Sequence, residues 1–341
     1  MDSEKKIILF GASTVGIMAL QYFGTSRVHC FADNYKAGRF FCKKNVISFE
    51  ELKKIHKDYN IVVSVAPFFI EEIEKQFNEA GIDFTDFNEI TKPEDFPQDP
   101  KILKLNNIHK GKRCFVVCTG PSLEYSDLEK IHRNGDISFS MNSIFKIFDN
   151  TKWRPDYYCC IDKFALELCK DFIESADWLK GKFFFYYDNL TFEKETEYYF
   201  NRFYNSHLNK EFDLDLSRCN AAYGTVTHFA LRIAMYMGFS EIYLLGCDNT
   251  AAKAIQNCSS GFHKYEEEEI DKIVGETTNY YSESLKKKIQ SGIINNYINM
   301  GYAELDSITR KIGKSRIFNA TRGGELEVFE RVDFDSLFAS V

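Results

Sequence analysis

The first ninety residues alternate short apolar runs with amphipathic stretches. "KIILFGAS" reads as a strand entering a glycine turn, and "TVGIMALQYF" as the helix that follows. "VHCFADN" gives a second strand, "FEELKKIHK" a helix, "NIVVSVA" a third strand, and "FIEEIEKQFNEAG" an amphipathic helix ending at Gly81. Strands alternating with helices of this length predict a parallel sheet with crossover helices. The stretch "ITKPEDFPQDPK" then gathers three of the six prolines amid mixed charge and marks a linker.

From Arg113 the alternation restarts. Strands are predicted at 113–118, 136–142, 156–162, 182–188, 241–247 and 316–320. Helices are predicted at 126–134, 164–175, 192–205, 224–237 and 290–312, the first opened by an S-x-x-E capping box of Ser126 and Glu129. Residues 249–285 are polar, acidic at "YEEEEID" and without clear period, which suits a lid or binding loop. The pattern divides into an N-terminal domain at 1–92, a linker at 93–104 and a C-terminal domain at 105–341. The fold class is α/β, with two Rossmann-like domains whose sheets are mainly parallel.

The length of 341 residues fits two cores better than one. A net charge of −7 gives no general attraction to nucleic acid. The ten cysteines show no C-x-x-C pair and no zinc-ligand spacing, so they read as reduced, buried thiols and no metal site is assigned. The opening "MDSEKKIILFGAS" carries too short an apolar run for a signal peptide, and no run reaches the length of a bilayer span. A cytoplasmic protein is expected.

Chemistry concentrates at strand ends. "GASTVG" puts Gly11 and Gly16 at the outer positions of a dinucleotide-binding turn, with Ser13 in place of the middle glycine. Asp33 closes the next strand where a ribose-binding acid would stand. In the C-terminal domain the strand "RCFVVC" stops at Thr119-Gly120-Pro121-Ser122, either a plain turn or one wall of a nucleotide pocket. Other strands end in Asn142, Asp162, Asp188, Gly246 with Asp248, and Asn319 with Thr321. Asn and Asp favour strand ends anyway, yet open α/β sheets also bind ligands along this edge. Tyr223, Gly224 and Thr225 enter an apolar helix, as ordinary capping or as a second N–H cradle. His228 lies on that helix and reads as structural. His263 stands in the polar loop, either an exposed histidine or a general base, with Tyr265, Tyr280 and Tyr281 nearby to hydrogen-bond a leaving phosphate. The sequence lacks a Walker glycine loop and a DxD metal–nucleotide motif.

The strings "GPSL", "MN", "YGTVTHFALRIAMYMGFSEIYLLGCD" and "FNATRGGELEVFERVDFDSL" together resemble the MptE-like family of α/β proteins, which includes capsule-locus proteins and flagellin-modifying transferases. The same order is similar, more distantly, to the bacterial CMP-sialic acid transferases of glycosyltransferase family 42. The "G-A-S…G" and "F-A-D-N" strings resemble the small domains that precede transferases of surface-polysaccharide pathways. These resemblances imply a sialyltransferase-like C-terminal domain and an inverting glycosyltransferase of capsule biosynthesis, moving a nonulosonic sugar from a CMP-sugar to a glycan acceptor. They place Gly120 and Ser122 at the nucleotide phosphate, with Pro121 fixing the turn and Thr119 standing where those enzymes have a nucleotide-facing Asn, and Asn142 at the ribose or phosphate. Tyr223, Gly224 and Thr225 would cradle phosphate or sugar, Gly246 and Asp248 would lie by the ribose or base, and Asp162, Asn319 and Thr321 would complete the edge. His263 would be the base, assisted by Tyr265 and Tyr281. No cofactor is obligatory, with Mg or Mn as an accessory; peripheral membrane association and homo-oligomer formation stay open. The family's archaeal namesake implies the alternative of a Mg-dependent pterin-type diphosphokinase, for which Asp162, Asp188 and Asp248 would supply carboxylates. A non-catalytic nucleotide-binding scaffold or sensor is the third reading.

Overall fold

The computed structural model describes residues 1–187, 194–203, 215–218, 220–221, 225–249 and 293–338. Asp188, Tyr223, Gly224, His263, Tyr265, Tyr280 and Tyr281, and the predicted lid beyond Asn249, lie outside the described residues. The chain forms two compact units. One comprises Met1–Asp99, Phe185–Thr191 and Tyr199–Ala221; the other comprises Pro100–Phe184, Phe192–Tyr198 and Ala222–Val341. Both are α/β, each built on a largely parallel sheet.

The first unit runs β1 (Ile7–Phe10), α1 (Thr14–Phe23), β2 (Val28–Ala32), β3 (Phe40–Phe41), β4 (Lys44–Ile47), α2 (Phe49–Ile55), β5 (Asn60–Val63), α3 (Ile70–Ala80), β6 (Thr85–Asp86) and α4 (Phe87–Ile90). Its sheet has the order β3-β4-β2-β1-β5-β6, parallel but for the β3–β4 hairpin. Successive residues of β1 serve opposite faces. Ile7 and Leu9 join Val15, Phe31 and Phe87 in one core, while Ile8 and Phe10 join Leu52, Ile73 and Phe77 in another. A strand buried on both faces must be continuously apolar, which is why "IILF" shows no alternation. Each such side chain contributes about 1.5–3 kcal/mol on burial. Caps fix the helix ends: Ser13 accepts from Gly16 N ahead of α1, Ser48 and Glu51 form a reciprocal capping box on α2, and Gly81 (φ 64°) closes α3.

The second unit begins with α5 (Pro100–Leu103), β7 (Arg113–Val117), α6 (Tyr125–Asn134), β8 (Ile137–Met141), β9 (Tyr157–Cys160), α7 (Lys163–Leu168), α8 (Lys170–Ser175), β10 (Gly181–Phe185) and β11 (Glu197–Phe200). Short strands β12 (Arg202–Phe203) and β13 (Asn220–Ala221), which belong to the first unit, pair with each other in a small sheet of their own. The chain then continues with α9 (Val226–Tyr236), β14 (Glu241–Leu245), α10 (Ile293–Ile312), β15 (Arg316–Asn319) and β16 (Glu330–Arg331). The large sheet has the order β11-β10-β9-β8-β7-β14-β15-β16. From β10 through β16 every neighbouring pair is parallel. β7 therefore lies where the order reverses, with β8 on one side and β14 on the other.

Three local expectations are corrected. The predicted 192–205 helix is, where described, the strands β11 and β12. Its "EYYF" run suits a pleated surface, and Glu197 is buried 3.8 Å from the fully buried Lys182 of β10. The Ser126/Glu129 capping box does not form. Helix α6 begins at Tyr125, so Ser126 is already inside its first turn; Ser126 Oγ donates to Glu124, and Glu129 Oε1 accepts from Thr151 Oγ1 (2.7 Å) and Lys152 N (2.8 Å). The predicted 164–175 helix breaks at Cys169 into α7 and α8. Among the described residues no helix is long and apolar enough to cross a membrane, and no disulfide joins the described cysteines.

Candidate functional site

In an open parallel sheet the strand order reverses where two βα connections diverge, and ligands gather at the carboxyl ends there. In the second unit that place is the pair of turns after β7 and β14. The two turns are bonded directly to each other. Gly120 N donates to Gly246 O at 2.9 Å, and Cys118 N to Leu245 O at 2.8 Å. Asp248, almost fully buried, accepts at one oxygen, Oδ2, from both Ser122 Oγ (2.9 Å) and Ser122 N (3.3 Å). A Cβ on Gly120 would stand 1.9 Å from that oxygen and 2.4 Å from Gly246 O, so only glycine fits. The anion held by the Gly-Pro-Ser elbow is thus a carboxylate from the chain itself. Thr119 is half-buried and Pro121 exposed beside it.

The end of β15 joins the same network. Thr321 Oγ1 accepts from Cys247 N (3.0 Å), Asn319 Oδ1 accepts from Thr321 N (3.0 Å), and Asn319 Nδ2 donates to Leu326 O (2.8 Å). Glu325 N donates to Asp248 O at 2.7 Å. Two arginines that sequence reading passed over hold this tail. Arg331 places its guanidinium on the carbonyls of Thr321, Gly323, Gly324 and Leu326 while forking onto Glu327. Arg322 forks onto Asp127, which is fully buried, at 3.0 and 3.1 Å, and also reaches Asp335. Those carboxylates raise the Arg322 pKa above its usual value, the Asp127 hydrogen bonds foremost.

On the other side of β7 the arrangement is different. Asn142, just past β8, has left-handed backbone (φ 48°), and its buried Oδ1 meets no hydrogen-bond donor among the described residues. Its carbonyl accepts from Tyr158 OH at 2.7 Å. Met141, the preceding residue, lies against Thr227 of α9 (Oγ1 to Sδ, 3.6 Å), and Thr227 also meets Cys118 Sγ at 3.5 Å. The first turn of α9 therefore sits at the ends of β7 and β8. Thr225 caps it, accepting from Thr227 N. Tyr302 of α10 closes the back of this corner; it bonds Thr225 and Thr227, and burial raises its pKa far above the usual value, so it stays a donor. Tyr302 was invisible in the sequence, where it reads as one more apolar-face aromatic of a long helix. His228, one residue beyond Thr227, is buried, and burial holds its pKa well below 6.5.

The remaining positions are less concentrated. Asp162, past β9, caps α7 by accepting from Ala165 N at 3.0 Å. In the first unit Gly11 (φ 116°) has Ser64 O only 2.6 Å from where its Cβ would be. Ser13 Oγ accepts from Gly16 N and donates to Ser64 O. Both Asp33 oxygens receive backbone N–H groups: Oδ2 that of Ala12, Oδ1 those of Tyr35 and Lys36. Lys36 Nζ covers the turn from the other side through Ala12 O (2.6 Å). Asp33 thereby locks the glycine turn to the end of β2. Among the described residues no cluster of three His, Cys, Asp or Glu could hold a metal.

A model of the family described as 6-hydroxymethylpterin diphosphokinase MptE-like matches residues 88–253. That span takes in the turns after β7, β8 and β14 and stops short of the 319–331 tail. No curated protein matches the chain. Among solved structures, the MAf glycosyltransferase from Magnetospirillum magneticum AMB-1 is similar at 12% identity and a TM-score of 0.39, over 97% of this chain. The chain spans 58% of that protein's length.

Proposed function

We propose that the chain is a glycosyltransferase of surface-glycan biosynthesis that transfers a nonulosonic sugar from a CMP-sugar to a glycan acceptor with inversion. The observation that carries this reading is the Asn142 amide, a buried oxygen with no donor among the described residues, fixed by a left-handed backbone beside the start of α9. A buried acceptor without a partner is costly, about 1–3 kcal/mol, unless a ligand satisfies it. A ribose hydroxyl or the cytosine amine supplies the missing donor. The N-terminal end of α9, with its positive dipole end, then faces the phosphate. The β7 elbow serves as the rigid wall of this corner, because Asp248 already fills it.

In the reaction the acceptor oxygen attacks the anomeric carbon as the bond from that carbon to the CMP phosphate oxygen breaks. CMP leaves with both electrons, His263 takes the acceptor proton, and Tyr265 and Tyr281 hydrogen-bond the departing phosphate. Capsule synthesis is the setting that the sequence resemblance suggests, in the cytoplasm.

The description of the matching family favours a second reading, diphosphate transfer from ATP with Mg. Its carboxylates would be Asp162, Asp188 and Asp248. Asp162 is committed to capping α7 and Asp248 to Ser122, so neither is poised for a cation. The test is CMP release from CMP-N-acetylneuraminic acid, with a glycan acceptor and without. Release that persists in EDTA and is lost in His263→Ala supports the transferase. AMP release from ATP, dependent on Mg and a pterin, supports the kinase, and binding of a nucleotide without any turnover supports the scaffold.

A further inference from the structure

We propose that the β3–β4 hairpin of the first unit docks the protein on an anionic lipid bilayer. The chain as a whole is acidic, at −7, yet Asn34–Asn45 holds Lys36, Arg39, Lys43 and Lys44 and no acid. The nearest acid, Asp33, is taken up by three backbone N–H groups. Two large aromatics stand out in this same stretch: Phe40 is 75% exposed and Tyr35 64%. Phe40 is outward by the logic of the pleat. Its neighbour Phe41 turns inward, edge-on to the core residue Phe31 at 5.0 Å between ring centroids and under Lys36 Nζ at 5.7 Å, and adjacent strand residues point to opposite faces.

Lys44 is anchored on Thr25 O and Val28 O and Lys36 on Ala12 O, which stiffens the base of the hairpin. Arg39 and Lys43 are exposed at its edge and tip. The turn itself is Cys42-Lys43, both left-handed (φ 49° and 61°), a conformation for which hairpins favour Asn-Gly. A lysine therefore stands at a position where glycine would be the less strained residue.

Cations interleaved with solitary exposed aromatics suit a lipid interface, where rings enter the headgroup layer and ammonium and guanidinium groups meet anionic lipid. An acidic peptide would need a groove or a free edge to pair with, and β3 is two residues long, too short to template a strand. The surface does not depend on which donor the second unit takes.

Co-sedimentation of the full chain with vesicles tests this. Binding is expected to vesicles of phosphatidylcholine containing phosphatidylglycerol, to weaken in high salt, and to be absent with phosphatidylcholine alone. Lys43→Gly should lower the vesicle partition about fivefold, the effect of one cation near the surface, while the melting temperature holds or rises because the left-handed site is relieved. Phe40→Ser should lower it about tenfold with the fold intact. Equal binding to neutral vesicles, no binding at all, or full binding by both variants overturns the proposal. So does retention on heparin that Lys43→Gly weakens while Phe40→Ser leaves vesicle binding unchanged, which would make the partner a soluble polyanion.

Discussion

Substituting alanine for Gly120 tests the physical core of the site. The new methyl would lie 1.9 Å from Asp248 Oδ2 and 2.4 Å from Gly246 O, both far inside van der Waals contact. The carboxylate is the softer neighbour and should swing away first. That breaks both bonds from Ser122, each worth about 1.5–3 kcal/mol when the acceptor is charged. The contact with Gly246 O remains, and forcing a methyl against backbone adds about 1–3 kcal/mol. Together these give a loss of about 4–9 kcal/mol, readable as a shift of the midpoint in guanidinium unfolding at unchanged slope. Adding Asp248→Ser to Gly120→Ala should recover at least about 1 kcal/mol, because the tighter of the two overlaps disappears. A Gly120→Ala protein within about 0.5 kcal/mol of wild type, the ordinary range for a harmless surface change, would show that Gly120 and Asp248 do not meet as described.

Arg322→Leu should cost about 3–5 kcal/mol, since it leaves the fully buried Asp127 carboxylate without its fork; a second change, Asp127→Asn, should restore part of that, and chemical denaturation of the two variants reads the difference. Stability should also fall as pH drops below about 6.5. Burial lowers the pKa of both His109 and His228 in the folded protein, so the unfolded chain binds more protons in that window. Each histidine contributes up to about 1.4 kcal/mol per pH unit until the native groups themselves titrate. A melting temperature flat between neutral pH and 5, or one equally steep in the His109→Gln, His228→Gln double variant, would contradict this.

Much of the architecture is written locally. Both faces of β1 are buried, so "IILF" is a continuous apolar run, and the Gly81 and Ser13 caps sit at the spacings that end and begin helices. The polar residues closing successive strands do line one sheet edge, because parallel strands align their carboxyl ends. What the sequence withheld depends on partners far along the chain. Arg322 acquires its meaning from Asp127, 195 residues away, and Asp248 from Ser122, 126 residues away. Lys182 looks like a strand-edge charge until Glu197 is found buried beside it, and the helix pattern at 192–205 fails for the same reason. Ser126 shows the limit of a short motif: the S-x-x-E spelling is present, but the helix starts two residues too early for it. At Ser48–Glu51 the same spelling falls in the right frame and the box forms.

The central claim is that the corner of Asn142 and α9 receives the donor nucleotide. Calorimetric titration of CMP into wild type and Asn142→Gly measures it most directly. Glycine keeps the left-handed backbone at no steric cost and removes only the amide. The account predicts that CMP binds wild type without added metal, and that Asn142→Gly folds as stably but binds at least about tenfold more weakly, one hydrogen bond's worth. Equal CMP affinity in the two proteins, or no CMP binding alongside Mg-dependent binding of ATP, would contradict it.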